Sequence, residues 1–183
     1  MGARTLVAVE GPNGRYDCYH SQWGGEHLEW LLSEEPLHDG STRLVDEEPT
    51  HTGIPAERVL SIVDSHAYES LVVREGDDHL DAYLVCRLAI ETGRGSDATT
   101  RQSAANERSE GPNGPAIALV PWPGPRPASR LRRFSRIAKG ILGDAVEVDL
   151  LPAWLASAYL GVRLARHPDC TDQIRWYIPA VNR

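Results

Sequence analysis

Lysine is almost missing from this chain. Of 19 Lys and Arg in 183 residues, Lys139 is the only lysine. The surface therefore carries few mobile ammonium groups, and its cations are the more weakly hydrated guanidinium. Phenylalanine and methionine occur once each, as Phe134 and Met1, so the core must come from Leu, Val, Ile and Ala. The three cysteines, Cys18, Cys86 and Cys170, are odd in number, far apart and without a CxxC pair. That argues against a disulfide framework or a cysteine-rich zinc site, and a reduced, cytoplasmic protein is expected. No apolar run approaches the ~18 residues of a membrane helix, so no membrane partner is expected. Arg4 stands early and no long apolar stretch follows, which argues against a signal peptide.

Acid is plentiful. Asp and Glu number 26, for a formal charge of -7. Carboxylate excess with little lysine suits concentrated salt, because carboxylates hold water and cations. A GC-rich genome, which favours arginine codons, would also deplete lysine, and both causes can act together. The length fits one domain over 1–183 with a full hydrophobic core.

The apolar pattern gives the elements. Leu6 to Val9, the turn Gly11-Pro12-Asn13-Gly14 and a returning strand form a first hairpin. On the returning strand Tyr16, Cys18 and His20 share one face, with Asp17 and Tyr19 on the other. Residues 26–32 predict a short helix, 34–53 a loop, and 55–63 a second short helix. Tyr68 to Arg74 and Leu80 to Leu88 predict a better hairpin, since Leu80, Ala82, Leu84, Cys86 and Leu88 alternate cleanly. Residues 91–115 have no apolar periodicity and predict a mobile loop. A strand over 116–120 follows. Next comes an amphipathic helix over 129–142, with Leu131, Phe134, Ala138 and Ile141 inward and Gly143 as its stop. A helix over 152–166 is expected to bury Leu151, Trp154, Leu155, Ala158, Tyr159 and Val162. Ile174, Trp176 and Ile178 alternate as a last strand. Hairpins outnumber βαβ units. The expectation is an α+β fold, a mainly antiparallel sheet of about five to six strands with helices packed on one face.

The opening MGARTLVAVEGPNGRYDCYHSQWGG resembles an uncharacterised family of small haloarchaeal proteins. Its marks are a Met-Gly-Ala-Arg strand and a Tyr-x-x-Trp-Gly segment, here Tyr19 to Gly24. The resemblance implies a halophilic cytoplasm and brings no known activity, cofactor or catalytic residue.

Two places could carry function. The first is the cluster after the opening turn. Cys18 and His20 lie two apart on one strand face, the minimum for an activated thiolate, and are the candidate catalytic pair. A buried thiol beside a hydrogen-bonded histidine is the plainer account. Together with His27 they match no zinc spacing, so neither a metal nor a cofactor is expected. Tyr19, His20, Gln22 and Trp23 are candidate ligand or partner contacts. Trp23 is a platform or, more plainly, a ring packed over the sheet end.

The second place is a basic helix. Arg126, Arg130, Arg132, Arg133, Arg136 and Lys139 stand within 126–139 with no acid among them. Such asymmetry can mark a nucleic-acid footprint. In high salt that reading weakens, since with about five phosphate contacts a tenfold rise in salt costs roughly four to five decades of affinity. Pairing of Arg130, Arg132, Arg133 and Arg136 with carboxylates of this chain or of an acidic protein partner is preferred. The expected function is a non-catalytic accessory or interaction protein. The alternatives are a small hydrolase or metal-dependent enzyme at Cys18/His20, and a nucleic-acid-associated factor using the basic helix.

Overall fold

The computed structural model describes residues 4–22, 28, 45–64, 66–76, 79–90, 117–170 and 174–177. Its strands are β1 (Thr5–Glu10), β2 (Arg15–Ser21), β3 (His51–Pro55), β4 (Ser70–Glu75), β5 (His79–Arg87), β6 (Ile117–Pro121) and β7 (Arg175–Tyr177). The helices are α1 (Ala56–Val59, continued by a 3-10 turn over Leu60–Ile62), α2 (Pro125–Glu147) and α3 (Ala153–Ala165).

All seven strands join one sheet in the order β3-β2-β1-β4-β5-β6-β7. Every neighbouring pair is antiparallel except β1 and β4. The fold is thus α+β and mostly antiparallel. The strand beyond the expected number is β3, which begins inside the stretch read as a loop over 34–53 and runs on to Pro55, the expected start of a helix. Its sequence HTGIP is short, polar and at the sheet edge, so it carries no alternating apolar signal.

The first turn forms as its residues require. Gly14 donates its N–H to the Gly11 carbonyl at 3.0 Å and takes a φ of 68°. That left-handed backbone suits a residue without Cβ. The returning strand pairs Ala8 with Cys18 and Leu6 with His20. At the start of the parallel pair, Thr5 and Ser70 face each other with both side chains fully buried. Their hydroxyls bond at 2.5 Å, so neither is left unsatisfied.

The sheet is covered on both faces. Leu84, Cys86, Leu88, Ala118 and Val120 pack under Ala128, Leu131 and Leu142 of α2 and Ala156, Leu160 and Leu164 of α3. On the opposite face Leu6, Ala8, Cys18, Leu71 and Leu119 pack against Val59 and Val63 of the α1 segment. The two long helices share one face as expected. The short helical segment takes the other, because β1 and β4 are apolar on both sides.

Helix α2 is longer at both ends than expected. Pro125 and Pro127 look like breakers, yet Pro125 opens the first turn, where a missing N–H costs nothing. Gly143 does not stop the helix. It is buried inside it, and the end comes at Asp149, whose φ is 57°. Leu150 N–H then closes on the Ala145 carbonyl at 2.9 Å and Asp149 N–H on Val146 at 3.1 Å, a Schellman-type end. The inward stripe is also shifted. Leu131 is buried, Phe134 and Ala138 lean on the core, but Ile141 is 65% exposed and Leu142 takes the inward place. The expected helix over 26–32 lies outside the described residues except for Leu28, which is helical and buried. The expected loop over 91–115 lies outside them entirely.

Candidate functional site

Cys18 sits in the middle of β2, fully buried between β1 and the β3 edge. Burial, with Asp17 adding to it, pushes its thiol pKa up to about 11. A thiol so placed stays protonated at neutral pH, the opposite of an activated nucleophile. His20 is half-buried. Its Nδ1 lies 3.2 Å from Oδ2 of Asp46, so the ring nitrogen carries the hydrogen and the carboxylate accepts it. Asp46 N–H returns a bond to the His20 carbonyl at 2.9 Å, and the ring leans on Tyr68 with centroids 5.9 Å apart. Asp46 was not foreseen as this partner, since it lies 26 residues away in an irregular acidic stretch.

The rest of the first cluster disperses. Asp17 accepts the Gly53 N–H at 2.8 Å and ties down β3. Tyr19 packs on the opposite sheet face beside Val7 and Val72. Gln22 is exposed. Trp23 and His27 lie outside the described residues. Among the described residues no group of three or more His, Cys, Asp or Glu could hold a metal ion.

The basic helix divides by face. Arg130 forms a two-pronged pair with Asp169, just beyond α3, with Nε donating to Oδ2 at 2.8 Å and the second prong reaching Oδ1. The bond to Arg130 lowers the Asp169 pKa below the usual carboxylate value. Arg132 is half-buried, with Nε 3.6 Å from Glu69 before β4. Arg133 and Arg136 are exposed. One helix thus spends two arginines on the chain's own carboxylates and turns three, Arg126, Arg133 and Arg136, outward.

A surface that was expected to be core stands on the outside. Helix α3, AWLASAYLGVRLA, is apolar almost all round. Its inner face is Ala156, Leu160, Gly161 and Leu164, where small residues let the backbone approach closely. The larger Trp154, Leu155, Tyr159 and Val162 are exposed, Trp154 by 69%. Leu155, Tyr159 and Val162 follow one stripe at i, i+4, i+7. The neighbouring α2 adds Ile137 and Ile141, four apart and both more than half exposed. These continue the side of α2 that bears Phe134 and Arg130. Phe134 meets the His167 ring at 4.9 Å and Arg130 meets Asp169, both beyond the end of α3. Val148 and Leu150, between the helices, are exposed too. The signal was present in the sequence: a helix with one charged residue, Arg163, in thirteen has more apolar surface than one sheet contact can hide.

These features describe an α+β protein with one mixed sheet, two covering helices and an apolar outer helical face. Residues 31–175 match DUF6735, a family of unknown function, and the chain belongs to that family. The matched span holds α1, α2 and α3 and omits β1 and β2, so the outer face lies within it and Cys18 and His20 do not. No curated protein and no solved structure matches the chain.

Proposed function

We propose that this protein is a non-catalytic interaction protein of a salt-adapted cytoplasm, and that the outer face of α2 and α3 is its contact surface. The observation that carries the reading is the exposure of large apolar side chains on two adjoining helices. Contiguous apolar patches of this kind on a folded protein mark sites of association. Trp154 and Tyr159 belong to the types that anchor interfaces, and exposed arginine at the edge of such a patch is common there.

The chemistry at β2 weighs against the hydrolase reading. Cys18 is sealed in the core with a raised pKa, and His20 is occupied by Asp46 and Tyr68. Two of the five arginines of α2 are already paired within the chain, which lowers the appeal of a phosphate-binding helix. The haloarchaeal, salt-adapted setting is supported by the single lysine and the charge of -7.

A photo-crosslinking residue placed at position 155 in the source cells tests the reading, with position 57 on the opposite sheet face as control. The expected result is a discrete adduct of defined mass from 155 that disappears in Tyr159→Asp. Adducts no stronger than those from position 57 would overturn it.

A further inference from the structure

We propose that the occupant of this face is a second copy of the same chain, bound with the two α2 helices antiparallel about a two-fold axis near residue 139. The inference rests on the contact-surface reading above and names its partner. A two-fold contact must be self-complementary, because the same patch serves on both sides. Three independent features of α2 meet that condition.

The first is charge. Arg126, Arg133 and Arg136 stand exposed in the N-terminal half of α2, where Arg130 and Arg132 are paired within the chain, while exposed Asp144 lies in its last turns and Asp149 just follows it. A parallel pair would set like charge against like. An antiparallel pair sets the basic part of each helix against the acidic end of the other. An acidic protein partner for the basic helix is thus supplied by the chain itself.

The second is spacing. Arg133, Ile137, Ile141 and Asp144 follow steps of four, four and three and form one outer stripe. All four are exposed, and among the described residues neither Arg133 nor Asp144 has an ion-pair partner within its own chain. About an axis at 139, Ile137 of one copy meets Ile141 of the other. Arg133 then lies opposite Asp144 with an offset of one residue, about 1.5 Å along the helix, which an arginine side chain spans easily.

The third is Gly140, at the centre of that stripe. It is exposed, and a Cβ built on it meets nothing within 4 Å. Glycine is a poor helix former, and among the described residues nothing requires it there. At the crossing point of two helices it removes the side chain that would hold the backbones apart.

Light scattering on size-separated full-length protein, over a range of concentration at moderate salt, tests the proposal. Wild type should run at twice the chain mass. Ile137→Asp should run as a monomer with an unchanged far-ultraviolet circular dichroism spectrum. Arg133→Asp and Asp144→Arg should each weaken association about tenfold, and the two combined in one chain should restore it. A monomeric wild type at all concentrations, a dimer indifferent to Ile137→Asp, or a charge swap that fails to restore binding would each overturn the antiparallel pair. If wild type is monomeric while position 155 still crosslinks to a different protein, the dimer fails and the contact-surface reading survives. If both are negative, both fail.

Discussion

Cys18 shows how far a residue's chemistry depends on what surrounds it. Two residues from a histidine on one strand face, it reads as a nucleophile, yet the structure gives its pKa as about 11 through burial. Cys86 is likewise pushed up to about 11, and Tyr16 and Tyr83 to about 12, burial being the largest cause each time. Each group stays neutral in the fold at a pH where the unfolded chain ionises. The stability they contribute is complete below the ordinary thiol value of 9.0 and is lost as pH rises toward the folded values of about 11 and 12. Melting temperature should therefore hold near neutrality and fall steadily above pH 9.0. A melt unchanged at pH 11 would contradict the burial of these groups. With a thiol reagent at neutral pH, half-buried Cys170 should react in the native protein, and Cys18 and Cys86 only on unfolding. Rapid native labelling of Cys18 would revive the nucleophile.

At the scale of elements, the ends of α2 record where local rules were misleading. Gly143 reads as a stop but is packed inside the helix, and Pro125, four residues before the expected start, fits the first turn. The true stop is Asp149 in a left-handed conformation. Asp tolerates that conformation better than most residues and glycine better still, so Asp149→Gly should stabilise the protein by about 0.5–1 kcal/mol in a denaturant melt. A destabilised variant would mean that the Asp149 side chain holds something the helix end needs. The hairpins were legible because alternation and turn chemistry are local: Leu80 to Leu88 and Gly11 to Gly14 state their own geometry. β3 was not, being a polar edge strand held from outside by Asp17 and by Arg15, whose guanidinium donates to the Gly53 carbonyl at 2.8 Å. The faces of α3 were misjudged for a related reason. Periodicity finds an apolar stripe, but in a helix apolar on both sides it cannot say which stripe meets the sheet: it marks Trp154 and Tyr159, whereas close approach selects Ala156 and Gly161.

For the whole molecule the ruling quantities are charge and exposed apolar area. With a net charge of -7 and arginine in place of lysine, folding should be favoured by salt that screens carboxylate repulsion. Thermal melts across a KCl series should rise toward molar salt, and a flat or falling series would count against salt adaptation. Among the described residues no helix is long and apolar enough to cross a membrane, so the outer face of α2 and α3 is not part of such a span. High salt also strengthens apolar contact while weakening exposed ion pairs, which makes an aliphatic and aromatic patch an effective means of association there. The reading as an interaction protein depends on α3 having one apolar face that holds the fold and another that does not. The most direct measurement compares Leu160→Ala on the inner face with a Leu155→Ser/Tyr159→Ser pair on the outer face, melting each in dilute solution and measuring association at high concentration. Leu160→Ala should cost about 2–5 kcal/mol. The outer pair should leave the dilute melt within about 0.5 kcal/mol of wild type and abolish association. An outer pair that destabilises the dilute protein as much as Leu160→Ala would mean that this face is covered within the chain, and the contact surface would not exist.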